Sequence, residues 1–378
     1  MVARPAPSPQ SRRILDLARA DRRAATAALG QLPPEAQAAA LCETPVAKRG
    51  ELLNLLPRPE EVIPLVPEAE LCFSIKAVGV TDSSWILELA TPEQIVACVD
   101  LDAWSGDTPA IGTLGEWMAT LAETEDEPLL LALRSLDPEL LTLYLKARIH
   151  CVAKPDDSDG WDPPDGGQTL DGQFYLVPRT QDDIAHLVRL LQLLFVHDYW
   201  TYFRTVQGII HELDTENEEW ALRWRTGRLE DLGFPPWEDA MRIYGYLRPG
   251  EEATIPEDGD PLDVDAWHLP VWLPGFPAEV EDSPSIFSAL AALGERERSG
   301  AFFAFVSLAN RVAVADRMDL ADAESTPRAI AKTARVASLG LEHIAREHGL
   351  DPVDTLRRVA LERLFRVGAN LDAAKASR

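Results

Sequence analysis

Residues 137–149 read DPELLTLYLKARI, and this stretch decides the fold class. Pro138 stands between a potential cap, Asp137, and an acidic residue, Glu139. Proline is tolerated at the first helical position because its missing N–H would lack a partner there, and the carboxylate suits the positive end of the helix dipole. Leu136, Leu140, Leu141, Leu143, Tyr144 and Ile149 then recur at helical spacing, so an amphipathic helix is predicted. The same start signal occurs at Pro33-Pro34-Glu35, Pro59-Glu60-Glu61 and Thr91-Pro92-Glu93. Thr91 and Asp137 can each also accept a backbone N–H as N-cap. Successive starts lie 25, 33 and 46 residues apart, an irregular series of short helices rather than a strict repeat.

These motifs predict a mainly α protein with an N-terminal superhelical array of short helical hairpins over residues 11–152. Three stretches, Leu29-Gly-Gln-Leu-Pro-Pro-Glu-Ala, Ala47-Lys-Arg-Gly-Glu-Leu-Leu-Asn-Leu-Leu-Pro and Leu89-Ala-Thr-Pro-Glu-Gln-Ile-Val, make the N-terminal third resemble the soluble helical domain of MgtE-type magnesium transporters. The resemblance implies a superhelical fold; no transporter membrane domain follows. Residues 153–173 are rich in Asp, Gly and Pro and are expected to be a linker. A larger helical domain with few or no short strands is expected over 174–370. Its long helix runs through Ile184, Leu187, Leu191, Leu194 and Phe195, introduced by Thr180 and Asp183. Phe174–Val177 fits either a short strand or a buried approach to that helix. Ala266–Pro277, with Trp267 and Trp272, reads as an extended segment lying on a core. Ser283-Pro284, Thr326-Pro327 and Asp351-Pro352 place helices near 284–299, 327–348 and 352–368, with Gly300–Met318 also helical.

The chain has 378 residues, enough for two or three domains. Hydrophobic residues make up 46% and charged residues 26%, which sets aside collagen-like and wholly disordered classes. A formal charge of −26 and a pI near 4.6 should repel a polyphosphate backbone, so nucleic acid is not an expected partner. Cys42, Cys72, Cys98 and Cys151 lack C-x-x-C spacing and read as reduced, mostly buried thiols. Arg4, Arg12, Arg13, Arg19, Arg22 and Arg23 precede no apolar run of signal-peptide type, and no apolar stretch is long enough to span a bilayer. A cytoplasmic protein is expected.

Phosphate-loop, dinucleotide, nucleophile-elbow and HExxH signatures are all absent. Around Gly160, Asp157 and Asp159 fit calcium-loop positions, but Pro155 and Gly166 stand where carboxylates are required. His186, His197 and His211 are spaced too widely to chelate together from one helix: 11 residues put the first two about 16 Å apart. His211, and His343 with Glu347 four residues on, could each join ligands from a second helix, which makes a divalent metal possible. Asn310, Arg311 and Arg317 interrupt an apolar run, and a buried Arg needs a carboxylate partner or an anionic ligand. Most of the ten tryptophans, Trp200 among them, are expected in the core. Trp220, Trp224 and Trp237, beside Arg223 and Arg225, could line a binding groove.

Residues 212–247, ELDTENEEWALRWRTGRLEDLGFPPWEDAMRIYGYL, together with Leu308–Met318 and Leu361–Leu371, resemble an uncharacterised bacterial family over most of the chain. That resemblance implies no activity, substrate or catalytic residue. The leading expectation is a non-enzymatic cytoplasmic binding or scaffold protein whose helical-repeat surface takes a protein partner. The alternative is a metal-dependent enzyme or divalent-cation sensor with a carboxylate and histidine site. A third reading is an enzyme holding an anionic substrate with Arg311 and Arg317.

Overall fold

The computed structural model describes residues 9–156, 160–180, 184–255, 271 and 284–376. Trp267, Trp272, Ser283, Asp157, Asp159 and Asp183, with most of the acidic run before Trp267, lie outside these. The chain is mainly α-helical and divides into two compact units, Gln10–Arg228 and Leu229–Arg378.

The first unit opens with α1 (Pro9–Ala20), α2 (Arg22–Leu29), α3 (Pro34–Glu43) and α4 (Arg49–Leu53). It continues through α5 (Pro59–Val62), α6 (Glu68–Val78), α7 (Ser84–Leu87) and α8 (Pro92–Asp102). The predicted proline starts lie at helix starts: Pro34, Pro59 and Pro92 are each a first helical residue. At α8 the cap is reciprocal, with Gln94 N–H donating to Thr91 Oγ1 and Thr91 N–H to Gln94 Oε1. The amide of the same Gln94 donates to the carbonyls of Ile63 and Val66, tying α8 to the turn before α6. Arg49, in the middle of one N-terminal motif, is 4% exposed. Its guanidinium is fully used inside the unit, on the carbonyls of Cys42, Thr44 and Glu70, on Ser74 Oγ and on the Glu70 carboxylate.

A two-residue hairpin, β1 (Trp104–Ser105) with β2 (Thr108–Pro109), leads to α9 (Ile111–Leu121), α10 (Asp126–Ser135) and α11 (Pro138–Arg148). The next strands are β3 (Ile149–Ala153), β4 (Gln168–Thr169) and β5 (Phe174–Pro178), antiparallel in the order β3-β5-β4. Phe174–Val177 is therefore strand. The described residues of 153–173 fall within the compact unit Gln10–Arg228. Asp171 accounts for this: one carboxylate oxygen accepts from the N–H groups of Gln173 and Phe174, and the other from the buried Tyr202 hydroxyl at 3.0 Å. Three helices complete the unit: α12 (Ala185–His197), α13 (Tyr199–His211) and α14 (Asp214–Asp231). The unit boundary falls within α14, after Arg228.

The second unit contains α15 (Trp237–Ala240), α16 (Ser285–Ala291), α17 (Glu295–Ala315), α18 (Ser325–His348), α19 (Pro352–Leu356) and α20 (Leu361–Ala376). Two expected helices are divided. The 284–299 helix breaks at Gly294, whose N–H is held by the Glu297 carboxylate as a new helix starts. The 352–368 helix breaks at 357–360, where Val359 turns into the core. Asp351 caps α19 through the Val353 N–H at 2.8 Å, as its sequence position predicts. Leu290, Phe305, Leu308, Val312, Leu341, Leu364 and Phe365 form the centre of the core.

At its middle α18 crosses α20 backbone to backbone. A Cβ on Gly340 would lie 1.9 Å from the Leu364 carbonyl oxygen, and one on Gly368 would lie 1.9 Å from that of Val336. Neither obstacle is a side chain that can rotate away. Gly340→Ala and Gly368→Ala are each expected to destabilise by about 3 kcal/mol or more, the upper end of overpacking costs. Gly227→Ala, in the interior of α14 with nothing within 4 Å of its Cβ position, should stabilise by about 0.5–1 kcal/mol. Denaturant melts of the three variants check this, and equal stabilities would refute the close crossing.

Candidate functional site

The largest sequence-predicted aromatic feature lies on α14. Asp214 and Glu216 occupy its first turn, where carboxylates suit the helix dipole, and Asp214 is also paired with Lys146 at 2.7 Å. Asn217, Ala221, Arg225 and Arg228 follow at intervals of three and four residues and share the inward face. Trp220 and Trp224 form the neighbouring stripe. Their rings stack at a centroid distance of 6.1 Å, and the residues remain 46% and 50% exposed. The Arg223 guanidinium lies over the Trp220 ring at 5.1 Å.

Two arginines hold this helix from behind. Arg228 donates to both oxygens of Asp100 (2.6 and 2.9 Å) and to both oxygens of Asp137 (2.7 Å each). Asp100 and Asp137 are 1% and 7% exposed, so the guanidinium neutralises two carboxylates that have little access to water. Burial alone would lower the Arg228 pKa, but its bonds to the two carboxylates outweigh that and raise it. Burial lifts the Asp100 carboxyl above its ordinary value, opposed by Arg228. Arg225 donates to the carbonyls of Asp100 (2.8 Å) and Gly106 (3.2 Å) and lies over the Trp104 ring at 4.8 Å. Arg225 is thus an anchor and not a groove residue. Asp137, expected to cap α11, makes no side-chain cap, because its carboxylate is engaged by Arg228.

A further aromatic surface was missed in the sequence. Trp200, expected in the core, is 77% exposed, beside Tyr199 and Val196 at 46% and 63%. The signal available was Asp198, which caps α13 through the Thr201 N–H and so puts Tyr199 and Trp200 in the first turn after a break.

Trp237 belongs to the second unit. It lies under Arg317 at 4.7 Å and donates from Nε1 to the Ala315 carbonyl at 3.3 Å. Arg317 is the one described non-glycine residue with positive φ, 52°, at the end of α17. The Met318 N–H bonds the Ala313 carbonyl there, closing a C-terminal turn whose left-handed position usually carries glycine. The adjacent Asp316 accepts from the Tyr244 hydroxyl (2.9 Å) and from Lys332 (2.6 Å). Burial raises the Tyr244 hydroxyl, which stays protonated as a donor. Arg311 is paired with Glu362 at 2.8 Å, and Arg366 reaches the same carboxylate at 3.2 Å. Asn310 is 6% exposed, and its Nδ2 has no partner among the described residues. Each cation of the proposed anion site is therefore engaged, Arg311 by a carboxylate and Arg317 by an indole.

The histidines are dispersed. His211 ends α13 in the first unit, and His186 shares a hydrogen bond with the Tyr144 hydroxyl at 2.9 Å. His343 and Glu347 lie on α18; His343 Nδ1 accepts from Arg346 at 3.2 Å, and Glu347 faces Arg346 at 3.8 Å. Among the described residues no three His, Cys, Asp or Glu side chains are placed to hold a metal ion. The four cysteines are free thiols, three of them buried. Burial pushes the partly exposed Cys151 up to about 12.

The fold and this surface define a mainly α-helical protein, and no helix among the described residues is long and apolar enough to cross a membrane. The chain matches the model of a family of unknown function, DUF6178, over residues 26–374, and belongs to that family. No curated protein and no solved structure matches it. The likeness to MgtE-type transporters rests on the short N-terminal motifs alone.

Removing the guanidinium by Arg228→Met strands two buried carboxylates. The variant is expected to lose about 3–5 kcal/mol at pH 7. Without Arg228 the Asp100 pKa rises further, so the folded state takes up a proton more readily than the unfolded chain. Stability of the variant should therefore increase as pH falls from 7 towards 5. Arg223→Met, at an exposed position, should change stability by no more than about 0.5 kcal/mol. Urea melts at the two pH values test both statements.

Proposed function

We propose that this chain is a non-enzymatic cytoplasmic binding or scaffold protein that takes a protein partner on its helical surface. The observation that carries the reading is the stacked, half-exposed pair Trp220 and Trp224 on α14. Solvent-facing indoles forgo burial worth about 2 kcal/mol or more each, and such residues recur at the centres of protein interfaces. Rigidity supports the same reading. The helix behind the two rings is fixed by Arg225 and Arg228, so little conformational freedom remains to be lost on binding. Trp200, Tyr199 and Val196 add exposed apolar area on α12 and α13 of the same unit. Arg311 and Arg317 are already engaged, the first by the Glu362 carboxylate and the second by the Trp237 indole.

A photo-crosslinking residue placed at Trp224 in the cell tests the reading. A discrete adduct with one protein partner is expected, with its yield reduced at least fivefold by Trp220→Ala. The same probe at the exposed Arg296 serves as the control. Equal adduct patterns from both positions, or no adduct from Trp224, would overturn the proposal.

A further inference from the structure

Charge along the chain is unevenly distributed. Residues 1–60 contain nine Lys and Arg against six Asp and Glu, in a protein whose formal charge is −26. The cationic excess is not absorbed by the Trp220 and Trp224 surface. Part of it lines an open groove of about 670 Å³ between α2 and the turn at Pro57 and Arg58. Arg23 and Ala27 of α2 and Gly30 just past its end lie four and three residues apart on one side, with Thr26 and Gln31 beside them. Pro57 and Arg58 form the opposite side. Gly30 lets the two sides approach, since a Cβ there would stand 3.1 Å from Pro57 Cγ.

The three guanidinium groups differ in what they already hold. Arg22 donates to the Asn54 carbonyl at 3.0 Å, which fixes it at the rim, and Arg58 pairs with Glu61. The Arg23 guanidinium has no hydrogen bond or ion pair with any other described residue. We propose that this groove is a docking site for an acidic segment of a protein partner. Carboxylates seat on Arg23, with Arg22 and Arg58 flanking, and the backbone between them runs over Ala27, Gly30 and Pro57. Arginine's fixed fork of donors matches a carboxylate in two-point contact.

Charge complementarity favours an anionic occupant, and the groove's open form favours a length of chain over an enclosed small molecule. The α2 N-terminus argues against a dense phosphate. Its amide donors are the natural place for one, but the Asp21 carboxylate already accepts from the Ala24 N–H there at 3.1 Å. Carboxylates spaced along a peptide avoid that repulsion.

The test uses the full-length protein and a fluorescein-labelled decapeptide of alternating Glu and Ala, followed by fluorescence anisotropy. Saturable binding is expected, weakening as salt rises, and at least tenfold weaker for the same peptide with Gln in place of Glu. Arg23→Glu should weaken it at least tenfold with an unchanged melting temperature, whereas Arg296→Glu should not alter it. Trp220→Ala combined with Trp224→Ala should leave it intact, which separates this site from the α14 surface. No binding, equal binding of the Gln peptide, or full binding by Arg23→Glu would overturn the proposal. Displacement by inorganic pyrophosphate at lower concentration than by unlabelled peptide would overturn it in favour of a phosphate ligand.

Discussion

One guanidinium organises much of the first unit. Arg228 meets Asp100 from α8 and Asp137 from the start of α11 with four hydrogen bonds, in a place where both carboxylates have little access to water. Burying such charges is costly unless each is paired and oriented, so the three side chains fix three helices in one arrangement. The exposed tryptophan pair depends on that arrangement. Trp220 and Trp224 keep their orientation because the opposite side of the same helix cannot rotate without leaving two carboxylates uncompensated. Arg225, spread over the Trp104 ring and two backbone carbonyls, adds a second fixed point one turn earlier.

Helix starts are legible in the sequence because the physics that sets them is local. Proline beside glutamate marks a helix start through one missing N–H and one dipole, and both are decided within a single turn. Thr91 caps α8 as its neighbours suggest. Asp137 has the same local signature, yet its carboxylate goes to an arginine 91 positions later, and no local pattern reports that competition. The α14 anchors were hidden for the same reason. Arg223 and Arg225 are only two residues apart, but one faces an exposed indole and the other the backbone of a distant hairpin. The partner of Arg311, Glu362, is likewise 51 positions away.

Composition misled where it stood in for geometry. The Asp, Gly and Pro content of 153–173 conceals a single residue, Asp171, that ties that segment to a strand and to a buried tyrosine. Trp200 is of a type usually buried, but the break capped by Asp198 puts it at the start of a helix and in water. The overall acidity likewise concealed a basic patch, since a net charge of −26 describes the whole chain and not the face around Arg23.

The crossing at Gly340 and Gly368 has a mechanical consequence. Most helix pairs meet through side chains whose rotamers can yield and take up small displacements. Here two peptide backbones bear directly on each other, so the contact behaves as a pin joint without a cushion. A push on one end of α18 is delivered to α20 as movement of a rigid lever, and the two helices can answer a load only together.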